Sequence, residues 1–288
     1  MADRTLPAET PASGTASKFK DLRLRLLSGL VLAAVALGLT WWNVGAFSVL
    51  VGLVTLAMAW EWSGIVRPGS NDKALLLHLA AVLAAVVLSA LGYEAMAVAA
   101  VAVAAILVMV LASGQHGLMS GLGVAYVGLP AVALIWLRGD THYGFAAIVF
   151  LFLVVWSSDI GAFLAGRLIG GPKLWPRVSP NKTWAGLAGG VAAAALAAAL
   201  FASLALTIAS PSKLAVVGVI LALVAQAGDL VESALKRRFG VKDASGLIPG
   251  HGGFMDRVDS LVTVAVVAAL VGLVADPHAP ARALLVGL

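Results

Sequence analysis

The chain of 288 residues contains no cysteine. Disulfide bonds, thiolate nucleophiles and cysteine-based zinc or iron–sulfur sites are therefore excluded. A zinc site built on histidine is not expected either, because the other four histidines lie far from His251 in the sequence.

Charged residues are scarce as well. They make up 11% of the chain, whereas about 25% is usual in a soluble globular domain, and apolar residues make up 61%. Apolar runs of about 20 residues recur along most of the sequence, which is the length that a helix needs to cross a hydrocarbon core of about 30 Å. The sequence therefore predicts an all-α bundle of membrane-spanning helices.

The N-terminal segment lacks an apolar stretch. Residues 1–20 are polar and rich in Thr, Ala, Pro and Ser, which is typical of a disordered tail and not of a cleavable signal peptide. We expect a cytoplasmic tail over 1–20 and a single transmembrane catalytic domain over 21–288, with the catalytic region mainly in 155–260. The sequence shows no internal repeat of fixed period.

Polar residues, Gly and Pro divide the apolar sequence into about nine candidate spans. The final apolar stretch, 283–288, is too short to cross a membrane. The predicted spans are 24–42, 45–66, 73–91, 94–113, 121–138, 144–166, 184–208, 214–235 and 258–275.

Lys and Arg residues are distributed unevenly between the two sides of this predicted bundle. With the N-terminus in the cytoplasm, 16 of the 19 lie on the cytoplasmic side, and Arg138, Lys213 and Arg282 lie on the other. Such an excess is typical of cytoplasmic loops, so we predict a cytoplasmic N-terminus. Membrane anchoring then explains the net charge of +5, and no nucleic-acid partner is expected. In this topology the loops 167–183 and 236–257, which hold most of the unusual polar residues, face the cytoplasm.

Acidic residues inside predicted spans are functional candidates, because a charge there costs at least about 2.5 kcal/mol. Asp159 lies in span six, and Asp229 and Glu232 lie one turn apart in span eight, with Lys236 one further turn along. Two acids and a base on one helix face indicate a lined cavity. For Asp159, a structural hydrogen-bonding or charge partner within the bundle is an equally good interpretation.

A glycine-rich loop and two further acids follow span eight. The stretch 249–253 reads Pro-Gly-His-Gly-Gly, whose glycines allow backbone N–H groups to approach an anion closely. Asp256 and Asp259 come next at the start of span nine, on one helical face. Together with Asp229 they provide oxygen ligands suited to Mg²⁺, so the sequence predicts metal-assisted chemistry on phosphates. His251 contacts a phosphate or leaving group in one interpretation and is structural in the other.

Two basic segments accompany these acids. The cluster 236–238 by itself is typical of a segment attracted to anionic lipid heads, an interpretation that does not explain the glycine-rich loop. In the loop 167–183, Ser179, Lys182 and Thr183 come just before a predicted helix N-terminus and favour a phosphate clamp. A Pro-broken interfacial loop is the alternative, and the Gly-Lys-Ser/Thr of a P-loop is absent.

One stretch, 233–259, combines these features in a long pattern. It reads Ser-x-x-Lys-Arg, four residues, Lys-Asp, then Pro-x-His-Gly-Gly-x-x-Asp-Arg-x-Asp. In this pattern the chain resembles the phosphatidate cytidylyltransferase family, also called CDP-diacylglycerol synthases, whose C-terminal signature it matches without a gap. The stretches 159–167 and 179–184 resemble the family as well, whereas Ala185 stands where the family usually has Glu.

The resemblance implies transfer of the cytidylyl group of CTP to phosphatidate, giving CDP-diacylglycerol and pyrophosphate. It implies Mg²⁺ as cofactor, with a second cation left open, and a multi-pass homodimer in a cell membrane, the inner membrane in bacteria, with its active site facing the cytoplasm. The implied catalytic residues are Asp229, Asp256, Lys236, His251 and Arg257, and the implied metal ligands are Asp229, Asp256, Asp259 and Glu232. The implied substrate-binding residues are Ser179, Asn181, Lys182, Thr183, Arg237, Lys242, Asp243, Gly252, Gly253, Asp159 and Ser233.

Other function classes compete with this one. A CDP-alcohol phosphotransferase is not favoured, because its Asp-Gly-x-x-Ala-Arg motif is absent. A CTP-dependent polyisoprenol kinase is closer in chemistry. A secondary transporter with acids at the midplane predicts inverted repeats and matched broken helices, which the sequence does not show.

Overall fold

A computed structural model describes residues 14–69, 73–114, 116–204, 209–248 and 252–286, with side chains described from Ser28 onward. Within these ranges the chain is almost entirely helical, with one short hairpin. The elements are α1 (Gly14–Trp42), α2 (Val44–Val66), α3 (Lys73–Ala90), α4 (Glu94–Leu111), α5 (Gly117–Gly139), α6 (Gly144–Leu168), β1 (Lys173–Trp175), β2 (Ser179–Thr183), α7 (Trp184–Leu204), α8 (Pro211–Arg238), α9 (Met255–Ala275) and α10 (Pro280–Val286).

The predicted all-α membrane bundle is confirmed, since each of the nine predicted spans corresponds to one of the helices α1 to α9. In the described part of the chain, eight helices, α2 to α9, are long and apolar enough to cross a membrane. The apolar part of α1, Ser28–Trp42, is shorter. This helix is described from Gly14, so it extends into the segment predicted as a disordered tail.

Helices α8 and α9 reach further into the predicted loop 236–257 than the sequence indicated. The last turn of α8 includes Lys236, Arg237 and Arg238, where positive charge is favourable to the helix dipole. At the other side of the loop, α9 begins at Met255, which puts Asp256 in its first turn. Several acids and bases of this region therefore lie on the ends of two helices, where the helical backbone holds them in fixed positions.

The predicted Pro-broken loop 167–183 contains a β-hairpin. Strands β1 and β2 pair antiparallel, with Lys173 opposite Thr183. Gly170 and Gly171 precede the hairpin with φ of 66° and 91°, a left-handed conformation that glycine adopts without strain. The hairpin leads directly into α7 and so carries its polar residues to the helix start.

Small residues bring the helices near the polar cluster close together. A Cβ on Gly161 of α6 would lie 2.7 Å from the carbonyl oxygen of Gly189 on α7, so neither position has room for a side chain. A Cβ on Gly228 of α8 would collide with the side chain of Thr263 on α9. Membrane helices associate through such close contacts, because the hydrophobic effect does not drive helices together within lipid.

Large apolar side chains cover much of the outer surface. Leu53 on α2 is 64% exposed and Leu196 on α7 is 62% exposed, whereas Phe150 and Leu151 on α6 are fully buried. An outer surface of this kind is suited to lipid chains and not to water.

Candidate active site

Polar contacts gather at one end of the bundle, where the C-terminal ends of α2, α6 and α8 meet β2 and the N-terminus of α9. Most of the residues predicted from the sequence lie there. Contacts through Lys236, Lys182 and Glu61 join α2, α8, α9 and β2, and a hydrogen bond from Gln226 joins α8 to α6.

Lys236 is ion-paired with two carboxylates. Its Nζ lies 2.9 Å from Oε1 of Glu232, one turn back on α8, and 2.6 Å from Oδ1 of Asp256 on α9. The side chains of Glu232 and Asp256 are 0% and 7% exposed. Because buried charges are costly without a partner, this three-residue network fixes the end of α8 against the start of α9.

The second oxygen of Asp256 accepts two backbone hydrogen bonds. The N–H groups of Gly253 and Ala244 donate to Oδ2 at 2.8 and 2.9 Å. Gly252 adopts a φ of 81°, and a Cβ there would lie 2.8 Å from the same oxygen. The Gly253 N–H that the sequence assigned to a substrate anion is therefore donated to Asp256, and the glycines permit the turn around that carboxylate.

Lys182 connects the hairpin to α8. Its Nζ lies 2.7 Å from Oδ2 of Asp229 and 3.5 Å from the carbonyl oxygen of Gln226. Ser233 Oγ donates to the other oxygen of Asp229 at 3.3 Å. The Asp229 side chain is 30% exposed, so it remains accessible to a ligand.

Asp159 belongs to the same cluster. Its carboxylate interacts electrostatically with Asp229, Lys182 and Arg257. The neighbouring Ser158 Oγ accepts a hydrogen bond from Gln226 Nε2 at 3.4 Å, which joins α6 to α8 beside it.

Thr183 has a structural contact that the sequence did not specify. Its buried hydroxyl oxygen accepts a hydrogen bond from the N–H of Gly186 at 3.0 Å and so caps the start of α7. Ser179 and Asn181 lie on the same strand, and Asn181 is exposed.

Most of the remaining predicted residues lie at exposed positions. Arg237 donates to the carbonyl oxygen of Val241 at 3.4 Å. His251 lies outside the described residues. Arg237, Lys242, Asp243 and Arg257 are all exposed.

The acidic side chains fit Mg²⁺ in part. Asp259 interacts electrostatically with Glu232, Asp229 and Asp159, and the buried Oε2 of Glu232 has no hydrogen-bond partner within the described structure. No three acidic or histidine side chains in the described ranges form a ready cage for a metal ion. Mg²⁺ needs only one or two carboxylates when water and substrate phosphates complete its shell, so this oxygen-rich set is compatible with it.

Glu61 on α2 is a functional candidate that the sequence analysis missed. Its side chain is buried, and its Oε1 accepts hydrogen bonds from Ser245 Oγ at 2.5 Å and from the Phe254 N–H at 2.9 Å. Its Oε2 accepts one from the Met255 N–H at 2.8 Å. The same rule that selected Asp159, an acid inside a predicted span, would have selected Glu61.

An apolar cavity of about 360 Å³ lies beside the cluster, between α1, α2, α5, α6 and α9. Residues of α2 from Phe47 to Met58 line one wall. Among the described lining residues, Arg257 is the one that carries a charge. The cavity therefore joins an apolar interior to the edge of the polar cluster.

Fold and site together define a multi-pass membrane protein with paired acids and bases at one end of its helix bundle. The model of the Cytidylyltransferase family matches residues 23–274, which is most of the chain. The chain therefore belongs to the cytidylyltransferase family, as its sequence motifs predicted.

Relatives in two bacterial genera carry the name phosphatidate cytidylyltransferase. The protein of Brucella suis biovar 1 (strain 1330) is 40% identical over 264 residues, which is 90% of this chain and 97% of the relative. The protein of Brucella abortus biovar 1 (strain 9-941) is 40% identical over 261 residues, covering 89% and 96%. The protein of Staphylococcus saprophyticus is 42% identical over 149 residues, which is 50% of this chain and 54% of the relative.

Proposed function

We propose that this chain transfers the cytidylyl group of CTP to phosphatidate and forms CDP-diacylglycerol and pyrophosphate. The observation that carries the proposal is the meeting of a charged cluster with an apolar cavity at Arg257. A reaction between a water-soluble nucleotide and a lipid needs both environments within reach of one another. The names of the relatives support the same pair of substrates.

The cavity is suited to one acyl chain of phosphatidate. From Phe47 to Met58, α2 rises about 16 Å at about 1.5 Å per residue. That length is about half of a bilayer core of about 30 Å, which is the depth of one leaflet. Arg257 then binds the lipid phosphate at the polar end, because a guanidinium group forms strong, directed hydrogen bonds with phosphate oxygens.

The nucleotide phosphates bind on the hairpin side of the cluster. Lys182 offers an ammonium group there, and Ser179 and Asn181 offer hydrogen-bonding groups on the same strand. Arg237, in the last turn of α8, and Lys242, just after it, are exposed and add positive charge for the triphosphate. In this assignment the lipid contacts the cluster through the cavity and Arg257, and the nucleotide contacts it through the hairpin and Lys182.

The reaction needs no protein nucleophile. A phosphate oxygen of phosphatidate attacks the α-phosphorus of CTP, and the bond from that phosphorus to the bridging oxygen breaks, so pyrophosphate leaves with the electron pair. Lys182, Lys236 and Arg257 stabilise the negative charge that is shared by the attacking, central and leaving groups. Their carboxylate partners hold the two lysines in position before the substrates bind.

Mg²⁺ is the cofactor of this proposal. Asp229 and Asp256 would hold it, with support from Asp259 or Glu232, and it would supply neutralisation of negative charge on the reacting phosphates. Two observations support this donor set: Oε2 of Glu232 has no hydrogen-bond partner among the described residues, and the Asp229 side chain is 30% exposed. A second cation is compatible with the number of acids.

The site faces the cytoplasm of a cell membrane in this proposal. The distribution of Lys and Arg along the sequence supports that orientation, because 16 of 19 fall on the side of the charged cluster. CTP is then available on the same side. The homodimer implied by the resemblance stays a prediction.

The test is an acceptor comparison with the purified protein, CTP and Mg²⁺. We expect CDP-diacylglycerol from phosphatidate and no phosphorylated product from a free polyisoprenol. Asp256→Asn should nearly abolish turnover, whereas Asp276→Asn, at the other end of α9, is the matched control and should not. Phosphorylation of the alcohol, with no product from phosphatidate, would favour the kinase instead.

A further inference from the structure

Glu61 is a buried acid that contacts residues far away in the sequence. It is 1% exposed and lies on α2, in the N-terminal part of the chain. Its hydrogen-bond donors, Ser245, Phe254 and Met255, are 184 to 194 residues away. An ionisable side chain so deep in a membrane bundle is costly, so a strong compensating interaction must hold it there.

The compensating interaction is with the start of α9. The first N–H groups of a helix have no partner within the helix, and a carboxylate near them is also favoured by the helix dipole. The N-cap residue Phe254 provides no side-chain cap of its own. Glu61 caps α9 from a different helix, because its two oxygens accept the N–H groups of Phe254 and Met255.

Gly253 makes this approach sterically feasible. A Cβ at that position would lie 2.5 Å from Oε1 and 2.9 Å from Oε2 of Glu61. The N–H of the same glycine is donated to Asp256. Gly253 is therefore held between two carboxylates, one on α2 and one on α9.

The two carboxylates also hold the preceding loop. Glu61 accepts from Ser245 Oγ, and Asp256 accepts from the Ala244 N–H. Five donors between Ala244 and Met255 are thus directed at Glu61 or Asp256, so a displacement of one carboxylate changes the surroundings of the other.

We propose that Glu61 is a positioning residue of the transfer site, which fixes the start of α9 and thereby the carboxylate of Asp256 beside Lys236. The inference rests on the proposed function in that Asp256 belongs to the transfer site. Glu61 acts through Asp256 and touches neither substrate. Because a misplacement of about 1 Å costs about 100-fold in rate, removal of this cap lowers kcat without removing a substrate contact.

Three variants test the inference. Glu61→Gln keeps the length of the side chain but replaces one acceptor oxygen with an amide that donates, which conflicts with a backbone N–H. Glu61→Asp keeps the charge and both acceptors on a shorter side chain. Glu94→Gln makes the same chemical change in the first turn of α4 and is the matched control.

The measurements are kcat and KM for CTP, the melting temperature in detergent, and hydrogen exchange of the amides in 252–258. We expect Glu61→Gln to lower kcat about 100-fold with KM for CTP within about twofold, and to speed exchange in 252–258 selectively. Glu61→Asp should recover part of the rate, and Glu94→Gln should match the unsubstituted protein.

An unchanged kcat in Glu61→Gln overturns the inference. It is also overturned if the loss of activity only follows a lower folded fraction and Glu61→Asp recovers none of it. If the unsubstituted protein makes no CDP-diacylglycerol, the proposed function fails, and hydrogen exchange still decides the role of Glu61. Faster exchange confined to 252–258 then supports the role, and unchanged exchange overturns it.

Discussion

Lys236 Nζ at the end of α8 lies 2.6 Å from Asp256 Oδ1 at the start of α9. The same ammonium group lies 2.9 Å from Oε1 of Glu232, whose side chain is fully buried. One lysine therefore compensates two carboxylates from two helices, and its removal leaves both without their partner.

Lys236→Met should be strongly destabilising. Breaking a buried ion pair from one side costs about 3–5 kcal/mol, because the remaining charge stays buried and unpaired. Thermal unfolding in detergent measures the loss, and Lys213→Met, at an exposed site of the same helix, should stay within about 0.5 kcal/mol. The double variant Lys236→Met/Glu232→Gln should regain part of the stability but none of the activity. If the single variant unfolds like the unsubstituted protein, the network does not hold α8 to α9.

Lys182→Gln should weaken CTP binding. A hydrogen bond to a charged group contributes about 1.5–3 kcal/mol, so KM for CTP should rise by about tenfold or more. The control is Lys173→Gln, an exposed lysine on the other strand of the hairpin. Equal effects at both positions would show that general positive charge, and not the position of Lys182, attracts the nucleotide.

Val54→Trp should obstruct the apolar cavity. Val54 lines the cavity, whereas its neighbour Leu53 is 64% exposed on the outer face of α2 and supplies the control Leu53→Trp. Because the added ring occupies the space proposed for an acyl chain, activity on long-chain phosphatidate should fall while activity on a short-chain analogue is retained. Equal loss on both lipids would contradict the assignment of the cavity.

Gly228→Ala should force α8 away from α9 beside Asp229. The new Cβ collides with the Thr263 side chain, and overpacking of this kind costs about 1–3 kcal/mol. Both the melting temperature and kcat should decrease. The double variant Gly228→Ala/Thr263→Ala removes the colliding atoms and should recover much of the loss. No recovery would mean that the contact with Thr263 is not the cause.

Local sequence patterns predicted much of the fold. The spans followed from apolar runs, and the pair of Glu232 and Lys236 followed from helical spacing, since residues four apart share a face. The acids Asp229, Asp256 and Asp259 were selected by type and spacing, and the structure brings them into one cluster.

Contacts between distant segments could not be predicted in the same way. The pairing of Lys182 with Asp229 depends on a hairpin whose strands are only three and five residues long, too short for a periodic signal. The capping of α9 by Glu61 depends on how two helices pack that are almost 200 residues apart in sequence. Likewise, the sequence favoured a phosphate clamp for Thr183, and only the geometry of its hydroxyl identifies it as the cap of α7.

The direction of group transfer provides the most direct test of the proposed function. The purified protein is supplied with phosphatidate, Mg²⁺ and CTP that carries its radiolabel on either the α- or the γ-phosphorus. Cytidylyl transfer predicts that the α-label enters the lipid product and that the γ-label leaves as pyrophosphate. A γ-label in the lipid, or no lipid product from folded protein, would contradict it.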